Sequence, residues 1–263
     1  MKRLPVARLS LWAWAALGMA LGGRALLGKP PALWPTVAGF AGYLVLGTLG
    51  VLWPERGMYG RILCRGPERA EVALTFDDGP SPSTTPLVLA ELAAAGARAT
   101  FFLVGKKALA HPELVRDIAR AGHGIGIHGF EHDRLFSLRR PPQVLADIRR
   151  TQAAVASAGV PEPQLFRAPI GFISHFTIEG ARRAGVTLVG CSARALDGFA
   201  SASAKRVAER LLRSLRPGAL LAMHDAAERD DFIPASVAAL PQLLRALRER
   251  NLRPVTLDEW TAP

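Results

Sequence analysis

Two adjacent carboxylates, Asp77 and Asp78, close the apolar run VALTFDDGP. Three further polar clusters follow at wide intervals: HGFEH (128–132), RAPIG (167–171) and LLAMHD (220–225). Asp-Asp with His-x-x-x-His offers three ligands for a Zn²⁺-type ion and leaves one carboxylate to move a proton. Successive side chains at a strand end point to different sides, so one Asp can hold metal while the other faces substrate. Asp-Asp-Gly-Pro is also good turn chemistry, but a barrel closing over this strand end would leave both charges buried and unpaired. The spacing of His128 and His132 brings both imidazoles to one ion, either on a helical turn or at a tight strand-to-loop bend that Gly129 eases. His111, His123 and His175 read as structural histidines. The chemistry these types allow together is hydrolysis by a metal-activated water.

Two more residues belong with them. His224 ends the apolar run GALLAMH, and Arg167 is a cation suited to pairing with a carboxylate in the same mouth. From about residue 71 the chain alternates short β-rich runs with helical patterns. Strands are predicted at 71–76, 99–104, 124–128, 165–168, 186–192, 219–224 and 254–257. Helices are predicted at 86–95, 112–121, 142–158 and 204–215. Pro112 and Pro234 fall where helices begin, and Gly96, Gly122 and Gly159 where they end. Apolar strands separated by helices make a parallel sheet covered on both faces. Asp77, Asp78, His128, Arg167 and His224 all fall at or just past strand C-termini, and a barrel brings such distant ends around one mouth. The expected fold is therefore α/β, an irregular (β/α) barrel of about seven parallel strands.

Residues 71–257 resemble the polysaccharide deacetylases with a NodB-homology domain, carbohydrate esterase family 4. TFDDG is similar to the family's first motif, which implies Asp77 as catalytic base and Asp78 as metal ligand, with His128 and His132 completing the metal site. RAPIG is similar to the third motif: Arg167 would orient the base, and the backbone N–H of Ile170 would bind the oxyanion. LAMH is similar to the last motif, implying His224 as general acid and Leu221 in the acetyl pocket. Two departures stand out. Gly129 takes the place of the usual Ser or Thr. The fourth motif, usually Asp-x-x-Asp-Trp, reads Arg194-Ala-Leu-Asp197-Gly198, keeping Asp197 to hold and charge His224, with Phe199 nearby in place of the Trp. The resemblance implies a Zn²⁺-dependent N-deacetylase (Co²⁺ or another divalent ion being alternatives) acting on a peptidoglycan- or chitin-like polymer. A deacylase or deformylase of a lipid-linked sugar and an inactive carbohydrate-binding relative are the competing readings.

The N-terminus adds a membrane segment. No charge lies between Lys29 and Glu55, and Trp34 and Trp53 stand near the ends of this stretch, so a transmembrane helix is expected over about 33–53. The shorter apolar run Leu9–Gly23 follows Lys2, Arg3 and Arg8; it is either the first arm of a hairpin or an interfacial segment. Basic residues flank every side, so orientation is left open. The expected organisation is a membrane anchor over 1–54, a linker over 55–70 and a catalytic domain over 71–263. Net charge is +11 over 263 residues. The arginines are scattered, without the basic stripe that nucleic-acid binding needs, and a basic surface suits anionic lipid or an acidic wall polymer instead. Of two cysteines, Cys191 sits in an apolar run and reads as buried, and the spacing gives no disulfide framework or metal knuckle.

Overall fold

The computed structural model describes residues 6–30, 32–52 and 57–261. Lys2, Arg3, Trp53, Glu55 and Arg56, which the sequence reading used as flanks and linker, lie outside them. The chain opens with two helices, α1 (Val6–Leu26) and α2 (Leu33–Leu52), then runs β1 (Glu71–Asp77), α3 (Thr85–Ala94), β2 (Thr100–Leu103), α4 (Gly105–Ala110), α5 (Pro112–Arg120) and β3 (Gly124–Ile127). It continues with α6 (Pro141–Ala156), β4 (Leu165–Phe166), α7 (His175–Ala184), β5 (Thr187–Leu188), β6 (Ala193–Arg194) and α8 (Ala204–Ser214). It closes with β7 (Ala219–His224), α9 (Ala235–Glu249), β8 (Arg253–Val255) and α10 (Asp258–Thr261).

All strand pairings among the named strands are parallel, in the order β5-β4-β3-β2-β1-β7-β6, with β8 paired to the first half of β1. The two ends of this order, β5 and β6, are joined by residues 189–192 alone, a reach of at most roughly 18 Å. The sheet must therefore curl strongly, into a half-barrel of parallel strands that agrees with the irregular (β/α) barrel expected from the βα pattern. The expected strand over 186–192 is short: it stops at Leu188, and β6 is an additional pair of residues joined to β7.

Period-2 alternation sorts the side chains. Val72, Leu74 and Phe76 of β1, with Leu221 and Met223 of β7, join the large core under the helices. Ala73 and Leu220 face the barrel interior with Phe102, Leu165, Val189 and Leu257. The same alternation that turns Ala73 inward turns Thr75 and Asp77 inward too. Gly126 leaves room inside the barrel: a Cβ there would lie 2.5 Å from the Phe102 ring.

Residues 57–70, expected as a linker, belong instead to the packed structure. Leu63 forms a parallel bridge with Val189, and Met58 and Cys64 are buried. The mixed, turn-prone composition of this stretch hid a single bridging residue at the sheet's open edge. Both N-terminal helices are long and apolar enough to cross a membrane by length and composition. α1 extends beyond the apolar run at both ends, to 21 residues, and packs against α2 through Trp14, which covers Gly39 and Gly42. At about 1.5 Å per residue each helix is about 30 Å long, close to the hydrocarbon thickness.

Candidate functional site

A cavity of about 450 Å³ opens at the C-terminal ends of the strands and is lined by Asp77, Asp78, His128, His132, Arg167 and His224. Asp78 follows the last residue of β1 with φ of 73°, a left-handed turn that swings its carboxylate away from that of Asp77. β3 ends at Ile127, and the chain leaves it by a bend at Gly129 (φ 78°) and His132 (φ 53°); the spacing of the two histidines is served by a bend and not by a helix. That bend is pinned from two sides. The N–H groups of Gly105 and Lys106 donate to the carbonyls of Gly129 and Phe130 at 3.0 and 2.9 Å, and the Phe130 N–H donates to Asp147 Oδ1 at 2.9 Å. Asp147 is itself paired with Arg139 at 2.7 Å.

One oxygen is the focus of the arrangement. Asp78 Oδ1 lies 3.2 Å from His132 Nε2 and 3.5 Å from His128 Nε2, and the ligand atoms of all three fall within 4.8 Å of one another. This oxygen is buried and has no hydrogen-bond donor, a state that is costly unless a cation completes it. His128 Nδ1 lies 2.9 Å from the Arg167 carbonyl oxygen, to which it donates as Nδ1–H, leaving the Nε2 lone pair free to face Asp78. Burial, outweighing the pull of Asp77 and Asp78, lowers the His128 pKa and favours the neutral, ligating form. Hard carboxylate and borderline imidazole donors in this number suit a divalent ion of the Zn²⁺ type, so the residues fit the metal the motifs imply.

Asp77 and His224 stand on either side of the cluster. Arg167 Nη1 donates to Asp77 Oδ1 at 2.6 Å and to Thr75 Oγ1 at 2.8 Å, its Nη2 donates to the Gly190 carbonyl at 2.8 Å, and its guanidinium lies 4.2 Å over the Phe102 ring. Burial would raise the Asp77 carboxyl, yet the Arg167 charge, then His128 and His224, outweigh it and hold the group below its ordinary range. His224 Nδ1 donates to Asp197 Oδ1 at 2.7 Å, and Asp197 Oδ2 accepts the His224 backbone N–H at 3.0 Å. Burial alone would depress His224; the bond to Asp197 and the charges of Asp197, Asp78 and Asp77 push it up to about 10. Its Nε2 lies 3.9 Å from Asp78 Oδ2. Ile170 lines the cavity with φ of 52°, a conformation that costs a β-branched residue about 1–3 kcal/mol.

The structure thus gathers Asp77, Asp78, His128, His132, Arg167, Ile170, Asp197 and His224 around one mouth. Leu221 is the exception. It is fully buried in the outer core and faces away from the cavity, because strand alternation puts Ala222, not Leu221, on the face of His224. Phe199 lines the cavity but is 69% exposed, so it stands at the rim without filling a buried space. Cys191, expected to be buried, is partly exposed in the cavity wall. His123 is structural, as expected: its Nδ1 accepts the Ala99 N–H at 3.3 Å, and burial lowers its pKa to about 4. The sequence reading missed Asp147 and Asp225. Asp225 is fully buried, accepts from Thr85 Oγ1 at 2.5 Å and packs against Gly79; burial pushes it up to about 7, with the Asp78 charge adding and the Thr85 bond opposing. Its one visible signal was a charge directly after an apolar strand.

A parallel half-barrel with an Asp-His-His cluster that could hold a metal ion, set between a carboxylate and a histidine paired with Asp197, defines an α/β fold with a candidate metal site at its strand ends. The polysaccharide deacetylase family profile matches residues 65–189. Over 206 residues the chain is 32% identical to a peptidoglycan-N-acetylglucosamine deacetylase of Bacillus cereus, covering 78% of this chain and 72% of that one. It is 34% identical over 190 residues to a chitooligosaccharide deacetylase of Sinorhizobium fredii, covering 68% and 86%. The solved family 4 carbohydrate esterase from Streptomyces lividans, in complex with acetate, superposes with a TM-score of 0.65 at 32% identity, over 75% of this chain and 96% of that one. The chain belongs to the polysaccharide deacetylase family.

Proposed function

We propose that the protein is a metal-dependent hydrolase that removes the acetyl group from an N-acetylated sugar. The observation that carries this reading is the convergence of His128 and His132 Nε2 on the unpartnered Asp78 oxygen, with Asp77 and His224 flanking it. The names of the relatives support the substrate class. Asp78, His128 and His132 would hold the ion, for which Zn²⁺ is the first choice and Co²⁺ an alternative. When bound, such an ion polarises the acyl oxygen and lowers the pKa of water from about 15.7 towards about 7.

The remaining chemistry belongs to the chain itself. Asp77, kept ionised by Arg167, accepts a proton from the attacking water as its oxygen bonds to the acyl carbon. The Ile170 N–H donates to the oxyanion, a contact typically worth about 3–4 kcal/mol. His224 then gives its proton to the nitrogen as the C–N bond breaks, so the sugar leaves as a neutral amine and acetate remains. An amine leaves very poorly as an anion, which makes this acid essential. Asp197 supplies the negative charge that keeps the acid protonated. The helices α1 and α2 serve as a membrane anchor over 1–54 for the catalytic domain over 71–263.

The test is acetate release from N-acetylglucosamine oligosaccharides by the full chain in detergent micelles. Chelation should abolish release, and added Zn²⁺ or Co²⁺ should restore it. Undiminished turnover after exhaustive chelation contradicts the reading.

A further inference from the structure

Three arginines line the cavity, and two are paired: Arg167 with Asp77 at 2.6 Å and Arg134 with Glu228 at 2.6 Å. The third, Arg194 at the end of β6, has an exposed guanidinium whose contact is a 3.4 Å approach to the Gly171 carbonyl. Among the described residues no carboxylate lies within ion-pair range of it. A guanidinium held at a cavity mouth without a counter-charge is a receptor for a planar or tetrahedral oxyanion, which its fork grips through two N–H bonds.

Exposed apolar side chains stand at the mouth and along the chain that leaves it: Leu196 lines the cavity, and Phe172 directly follows the lining residue Gly171. Leu196 is 55% exposed, and Phe172 and Phe176 are 40% and 45% exposed on the segment leading from the Ile170 turn into α7. The α7 helix that follows touches the stretch between α2 and β1. Ile178, half a turn past Phe176, packs on Gly60, and the neighbouring Tyr59 hydroxyl donates to the Gly47 carbonyl of α2 at 2.7 Å. Gly47 lies about 8 Å short of the end of α2 at 1.5 Å per residue. This contact therefore lies in the outer quarter of a spanning α2, just inside the headgroups, and holds the α7 side of the domain against the membrane face, where exposed aromatic rings partition.

We propose that the substrate is an N-acylated amino sugar joined through phosphate to a lipid. The acyl group enters the cavity, the phosphate is gripped by Arg194, and the lipid passes over Phe172 and Phe176 into the bilayer. This rests on the deacetylation proposed above and names its substrate class.

The test compares three probes with the full chain in micelles: polyprenyl diphosphate-linked N-acetylglucosamine, N-acetylglucosamine 1-phosphate and the uncharged N-acetylglucosamine pentamer. The lipid-linked probe should give the highest kcat/KM, about tenfold or more above the pentamer. Arg194→Gln should cut the ratio of lipid-linked to pentamer kcat/KM about tenfold, chiefly through KM, as loss of a charge-assisted contact does. A Phe172→Ser/Phe176→Ser variant should lower the lipid-linked rate relative to the soluble phosphate. A pentamer turned over as fast as the lipid-linked probe overturns the inference and leaves the deacetylase reading standing. So does an Arg194→Gln variant that affects both equally, or a soluble phosphate as good as the lipid-linked probe. No acetate from any probe contradicts the deacetylase reading, and this inference falls with it.

Discussion

In the proposed mechanism Asp77 and His224 carry opposite charge within one small mouth, and each is held there by a partner just past the end of another strand, Arg167 after β4 and Asp197 after β6. Removing the acid should be severe: His224→Ala is expected to lower kcat by about 10²–10⁴-fold while the metal content stays that of the wild type. If His224 is the acid, as proposed, activity is present below that group's pKa and lost as pH rises through it. Asp197→Asn withdraws the main raising influence, and the alkaline limb of the kcat/KM profile should move to lower pH. At the acid end the sign reverses. Ionised Asp77 is needed, so activity is lost as pH falls through its depressed pKa; Arg167→Ala should move that limb upward and destabilise the fold by about 3–5 kcal/mol, because it strands a buried carboxylate. The positions of these residues were legible because each sits in a short local pattern at a strand end. Leu221 was misread because its role was taken from the motif resemblance; period-2 alternation back from His224 already puts Ala222 on the cavity face. Asp147 left no signal, and Asp225 only that of a charge directly after an apolar strand, since their partners (Phe130 and Arg139, Thr85 and Gly79) are set by the fold.

At the level of elements, the strand ends do the positioning and the loops after them store the strain. Gly129 shows how tightly the bend is set: its φ is 78°, and a Cβ there would meet the Pro169 ring at 3.1 Å. Gly129→Ala should therefore cost about 1–2 kcal/mol in chemical denaturation and weaken metal binding measured by competition with a chelator, since His128 and His132 flank the bend. An unchanged midpoint and affinity would show that the bend tolerates a side chain. The alternation of apolar strands and proline-started helices gave away the parallel barrel. It did not reveal β6, whose two residues are too short for any periodicity, or α4, which opens with Gly105 and has no side-chain cap. α7 did carry a signal, Ser174 accepting the Thr177 N–H at one end and left-handed Gly185 at the other.

For the whole molecule, the question is how a strongly basic chain meets a membrane. The membrane attachment proposed above could rest on two features that a salt test separates, insertion of the apolar helices and electrostatic adsorption of a chain with net charge +11. Adsorption weakens with ionic strength, since the screening length falls from about 10 Å at 0.1 M to about 3 Å at 1 M salt. The full chain should float with neutral liposomes in a density gradient and stay with them in 1 M salt; release by salt would leave α1 and α2 outside the bilayer. The apolar run that forms α2 was legible as a candidate span because length and lack of charge suffice for that, whereas the shorter run in α1 left two readings open. The attachment of residues 57–64 to the barrel was not, because one bridge and a few buried side chains leave no pattern in a sequence.

Metal content by mass spectrometry of the purified chain, measured beside Asp78→Ala, goes to the centre of the account. One divalent ion per wild-type chain, less than about a tenth of that in the variant, and loss of acetate release in the same variant are the results predicted. An Asp78→Ala chain that retains a full complement of metal would contradict it.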